Sequence, residues 1–71
     1  MTSPCKSIVN DAKRKLSLFS KDEWSAALLF IKAAECFLSE GNKEEALRIL
    51  VKYAEFFNDK NFKIKLLNAA L

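Results

Sequence analysis

Cys5 and Cys36 are the only cysteines in this 71-residue chain, and no histidine accompanies them. A structural zinc site draws on about four Cys or His ligands, often in CxxC pairs. Two widely separated cysteines supply half of such a set and lack the spacing of a redox motif. One disulfide is open to them. With no apolar leader segment at the N-terminus, free thiols in a reducing compartment are the expectation. Cys36 stands in an apolar run and reads as a small buried hydrophobe.

Two pairs of carboxylates are adjacent, Asp22-Glu23 and Glu44-Glu45. Paired carboxylates can divide acid and base roles. These pairs open helical patterns, where capping and the positive end of the helix already account for them. Without histidine, no nucleophile–base couple stands out. A single glycine excludes a glycine-rich phosphate loop. No catalytic residue, metal ligand or cofactor site is therefore expected, and the chain is not expected to be an enzyme.

The remaining chemistry is charge. Twelve basic residues face nine acidic ones. Residues 1–21 carry +4, residues 22–57 carry −3 and residues 58–71 carry +2, so the ends are basic and the middle acidic. Lys6, Lys13, Arg14 and Lys15 form the basic patch. Its aromatic neighbours lie in apolar stripes, so a solvated helix face is preferred over a nucleic-acid surface. Contact with anionic lipid stays open. The same basic, nearly acid-free segment faintly resembles a mitochondrial transit peptide, but an ordinary amphipathic helix explains it.

Four helices must position these groups. Ser3-Pro4 is a start signal, and Ile8, Ala12, Leu16 and Phe19 make one stripe, giving a helix over 4–18. Ser20-x-x-Glu23 reads as a capping box for a second helix over 21–40. That helix is apolar on most sides, which makes it central, and it stops at Gly41. Asn42 caps a third helix over 43–57, with Glu45 at its third position. Asn58-Asp59 breaks it and caps a fourth over 60–71. The longest apolar run, residues 26–38, is 13 long and contains Lys32 and Glu35. A bilayer needs about 20, so no span is expected.

The fold class is thus all-α: a small antiparallel bundle of three to four helices in a single domain over 1–71. The expected core is Ile8, Ala12, Leu16, Trp24, Leu28, Ile31, Ala34, Phe37, Ala46, Leu50, Ala54, Phe57, Phe62 and Leu66. The fourth helix ends on an apolar residue. Either further chain beyond Leu71 packs on it, as in a longer helical-repeat protein, or its edge binds a partner.

The second and third helices carry the most specific pattern. Phe30-x₂-Ala33-Ala34-x₂-Phe37, then Ala46-x₃-Leu50, then Asn58 follows the spacing of the tetratricopeptide (TPR) repeat. Phe, Ala, Ala, Phe and Asn stand where Trp, Leu, Gly, Tyr and Pro are usual. The central hairpin resembles one TPR repeat, about half the chain. GNKEEALRILVKYAEFF is similar to the second helix of MIT domains (microtubule interacting and trafficking). The whole order of helices resembles the N-terminal region of the SNAP adaptors of SNARE disassembly.

These resemblances imply an intracellular, cytoplasmic adaptor that recognises another protein or a helical peptide segment, with membrane traffic as its setting. The MIT resemblance implies helical tails of ESCRT-III proteins as ligands, held between the last two helices. The TPR resemblance implies a partner on the outward line Leu28, Lys32, Glu35 and Ser39. The MIT resemblance implies Arg48, Lys52 and Lys63.

Overall fold

The structure is a computed structural model and describes residues 4–17 and 22–70. Four helices follow one another: α1 (Pro4–Lys15), α2 (Glu23–Ser39), α3 (Lys43–Ala54) and α4 (Lys60–Ala70). Among the described residues there is no strand. The expected Ser3 cap, Phe19, Ser20 and the final Leu71 lie outside the described residues.

α1 and α3 are shorter than expected. The chain leaves α1 at Lys15, where the amides of Leu16 and Ser17 bond three residues back, to Lys13 and Arg14. It leaves α3 at Ala54, where Phe56 and Phe57 likewise bond back to Tyr53 and Ala54. This tighter winding satisfies the last carbonyls without extending the helix.

The start of α2 corrects the expected capping box. Asp22 is the N-cap, and its carboxylate accepts the Ser25 amide at 3.2 Å. Glu23 is thereby released from capping and turns to the opposite end of α3. Its Oε1 accepts the amides of Asn58 at 2.7 Å and Asp59 at 3.3 Å.

The reversal between α2 and α3 follows expectation. Gly41 takes φ +78°, in the left-handed region open to glycine. The Asn42 amide donates to Phe37 at 2.8 Å and the Gly41 amide to Leu38 at 3.0 Å. This pair of bonds closes a Schellman motif. Asn42 then caps α3, accepting the Glu45 amide at 3.3 Å. Asp59 accepts the Asn61 amide at 2.8 Å at the start of α4.

These end-to-end links set the helix directions. Cys5 in the first turn of α1 is bonded to Cys36 in the last turn of α2, so those helices are antiparallel. The three-residue link Glu40-Gly41-Asn42 sends α3 back along α2, parallel to α1. Glu23 meeting Asn58, and Trp24 meeting Phe62 edge-to-face at 6.0 Å, bring the start of α4 to the start of α2. α1 and α3 thus run one way on one side, and α2 and α4 the other way.

The disulfide overturns the expectation of free thiols. The buried stripe of α1 also includes Cys5, which was not in the expected core. Cys5 and Ala12 are fully buried, with Val9 and Leu16 packed beside them. Ile8, expected in that stripe, is only half-buried.

The core otherwise contains the small residues that let helices approach: Ala26, Ala27, Ala33, Ala34, Ala46 and Ala54. Phe30, Phe37, Leu50, Phe57 and Leu66 fill the space beside them. Trp24 and Leu28 were expected inside and are exposed, at 58% and 38%. Ile31, Leu16 and Phe62 are half-buried at the core's edge. α2 is therefore covered on fewer sides than its composition suggests. Its line from Trp24 through Leu28 faces outward.

Candidate functional site

On α1, Lys6, Val9, Asn10 and Lys13 recur at helical spacing and share one side. On α3, Glu45, Arg48, Ile49, Lys52 and Tyr53 do the same. Because α1 and α3 are parallel, these two sides face each other across an open trough. Phe37 of α2 also borders it, and the hollow measures about 360 Å³. A second hollow continues it past Lys13, Lys52 and Tyr53 to Leu16 and Phe56. Phe56 is 60% exposed there.

Tyr53 is the centre of this surface. Its ring stacks on the buried Phe30 at 4.6 Å between centroids, which anchors it to α2. Lys13 from α1 and Lys52 from α3 each place Nζ 5.5 Å from the ring centroid. An exposed cation–π contact contributes about 0.5–1 kcal/mol. The ring therefore draws two cations from different helices toward the same end of the trough. Arg48 donates to Glu45 at 3.3 Å on the α3 rim. Lys6, Lys13, Arg48 and Lys52 thus surround the trough against the single carboxylate of Glu45. Such a surface attracts anionic groups at its rims and apolar groups between them.

The structure divides the basic patch expected on α1. Lys6 and Lys13 are seven residues apart and face the trough. Arg14 and Lys15 turn away into a shallow hollow with Asp11 and Leu29. Arg14 pairs with Asp11 there at 3.7 Å, both well exposed. At about 100° per residue, three consecutive cations cannot share a helix face.

Among the residues implied by resemblance, Arg48 and Lys52 line the trough. Leu28, Lys32, Glu35 and Ser39 lie exposed along α2, outside it. The Ser39 hydroxyl donates to the Cys36 carbonyl at 2.8 Å. Lys63 is half-buried on α4 and does not border the trough that holds Arg48 and Lys52. Val9, Phe37, Ile49 and Tyr53 were not among the expected binding residues. Phe37 was expected in the core and is buried there, as is Ile49. Helical periodicity could not show that α1 and α3 leave Val9 and Tyr53 half-exposed between them.

Cys5, Cys36 and Glu40 bring three potential metal-ligand atoms within 4.8 Å of one another. The two sulfurs are bonded to each other, which leaves no thiolate to bind an ion. Asp22 holds its proton less firmly than an ordinary carboxylate, chiefly because the Ser25 side chain and then the Ser25 amide donate to it. That is a helix cap and needs no catalytic role. No helix among the described residues is long and apolar enough to cross a membrane.

Compared with protein families, with curated proteins and with solved structures, the chain shows no significant match.

Proposed function

We propose that this chain is a non-catalytic protein-recognition module of an adaptor, with the trough between α1 and α3 as its binding surface. The observation that carries this reading is the trough's composition. Half-buried Val9 and Tyr53, with the exposed Phe56 at one end, lie between cations from two helices, above the buried Phe37 and Ile49. Open, amphipathic concave surfaces of this kind suit a peptide segment that is apolar on one side and charged at its edges.

The TPR-like reading gains support from burial. Phe30, Ala33, Ala34, Phe37, Ala46 and Leu50 occupy the positions of that repeat, and all are buried. A TPR-like adaptor, acting in membrane traffic and in the cytoplasm, is the setting we favour. Arg14 and Lys15 turn away from Lys6 and Lys13, so α1 by itself presents no continuous basic face to a lipid or nucleic-acid surface.

The test is affinity capture from cell extract with the 71-residue chain, at low and moderate salt, beside the Lys13→Glu/Lys52→Glu variant. A small set of proteins that survives moderate salt and is lost on the variant is the expected result. Recovery of only nucleic acid or lipid, lost as salt rises, would overturn the reading.

A further inference from the structure

The two rims of the trough have the same sign, and apolar side chains lie between them. We propose that the trough takes an acidic amphipathic helix from a partner protein. Its apolar stripe would rest on the half-buried Val9 and Leu16 and the exposed Phe56, and its carboxylates would meet Lys6 and Lys13 on one rim and Arg48 and Lys52 on the other. This inference rests on the protein-recognition reading above and names the chemistry of the partner.

Charge complementarity selects an acidic ligand. Four cations border the trough, and the one carboxylate among them, Glu45, already accepts a bond from Arg48. Geometry selects a helix. A ligand here must show one apolar stripe with acids on both flanks. A helix does this with apolar residues at i, i+3, i+4 and i+7 and acids on either side. An extended strand sends alternate side chains to opposite faces, so its acids would point away from the apolar contact.

Length fits as well. At 1.5 Å per residue, Lys6 to Lys15 on α1 and Glu45 to Ala54 on α3 each span about 14 Å. The combined hollows reach just past those helix ends, to Leu16 and Phe56. About ten helical residues, nearly three turns, cover that distance.

Nucleic acid fits less well. Stacking of successive bases needs several free aromatic faces, and along the trough Phe56 is exposed while Tyr53 is not free. The Tyr53 ring is already stacked on Phe30 and has two lysines over it. Nor does the face implied by the TPR resemblance, along Leu28 and Lys32, share any residue with this trough.

The experiment is a selection from a displayed library of 14-residue amphipathic helices against the intact 71-residue chain. The residues flanking the apolar stripe are randomised among Asp, Glu, Asn, Gln, Lys and Arg. The expected result is enrichment of Asp and Glu on both flanks. Selected peptides should then shift the backbone NMR signals of Val9, Asn10, Ile49 and Tyr53. Lys13→Glu/Lys52→Glu should weaken binding at least tenfold. Arg14→Glu/Lys15→Glu changes the net charge by the same amount on the other side of α1 and should weaken it less than threefold.

Equal losses in the two double variants would overturn the proposal, because the attraction would then be one of net charge. So would enrichment of basic or uncharged flanks. Peptides that bind but shift signals only along Leu28, Lys32 and Glu35 would overturn the trough assignment while leaving protein recognition standing. No binder from the library, with salt-sensitive binding of a 15-nucleotide uridine RNA or of phosphatidylserine vesicles, would overturn both. Circular dichroism of each variant confirms that its helices remain.

Discussion

Cys5, fully buried in the first turn of α1, and Cys36, half-buried in the last turn of α2, are joined by a disulfide, 31 residues apart in the chain. Lys6, the next residue, begins the α1 rim of the trough. The bond that fastens α1 to the body therefore also places one of the two binding walls.

Reduction should loosen that wall. By loop length, a crosslink of this span contributes roughly 3–4 kcal/mol. A chain of this size has a total stability of about 4–11 kcal/mol. Adding a phosphine reductant, or replacing both cysteines by alanine, should lower the melting temperature by roughly 12–32 °C. Affinity for a trough-binding acidic helix should fall with it. An unchanged melting curve would show that packing of Ala12 and Leu16 alone holds α1.

Glu23 ties the start of α2 to the junction between α3 and α4, accepting from Asn58 and Asp59. Truncation in Glu23→Ala leaves two amides to water and should cost about 1 kcal/mol, with Glu23→Gln costing less because an acceptor oxygen remains. Hydrogen exchange at Asn58 and Asp59 should accelerate in the alanine variant. If exchange there is unaltered, the bond does not hold the junction.

Asp22 links stability to pH. Its pKa lies below the ordinary value of 3.8 because the folded chain donates hydrogen bonds to its carboxylate, first from the Ser25 side chain and then from the Ser25 amide. A lowered folded-state pKa means that the charged form is favoured by folding. The stabilisation is fully present above the unfolded value and is lost as pH falls through the folded one. Asp22→Asn keeps a capping oxygen but loses the charge. Wild type should melt above the variant at neutral pH, with the difference constant down to about pH 5 and shrinking below about pH 4. A gap that persists unchanged into acid would assign the effect elsewhere.

Ala34 is 2% exposed between α2 and its neighbours. Ala34→Glu forces an unpaired charge into that contact and should cost at least about 3 kcal/mol, enough to unfold the hairpin at moderate temperature. The adjacent exposed Glu35→Ala should stay within about 0.5 kcal/mol of wild type. Native helicity and melting temperature in Ala34→Glu would contradict the pairing of α2 with α3.

Much of the fold was legible because its signals are local. Gly41 can take a positive φ, and Asn42 can accept an amide three residues on. Asp59 can cap whatever helix follows it. Such effects depend on a few neighbouring residues and survive any tertiary arrangement. The start of α2 was misread because Ser20-x-x-Glu23 and Asp22-x-x-Ser25 are both good local caps. Glu23 was drawn to Asn58, 35 residues away, and no local pattern contains that competitor.

The candidate site was legible only in fragments. Arg48 and Lys52 were named through the MIT resemblance, and Lys6 and Lys13 as half of a basic patch. Lys13 and Tyr53 are 40 positions apart, and no periodicity relates them.

The amino-acid sequence by itself determined four helices, their reversal at Gly41 and an alanine–phenylalanine core, since helix periodicity and capping are properties of short stretches of chain. The tertiary structure alone decided that Cys5 meets Cys36, that Trp24 stays in water and that α1 and α3 leave a basic trough between them. Periodicity tells how wide an apolar stripe is, but only the packing of distant helices tells which part of it is covered.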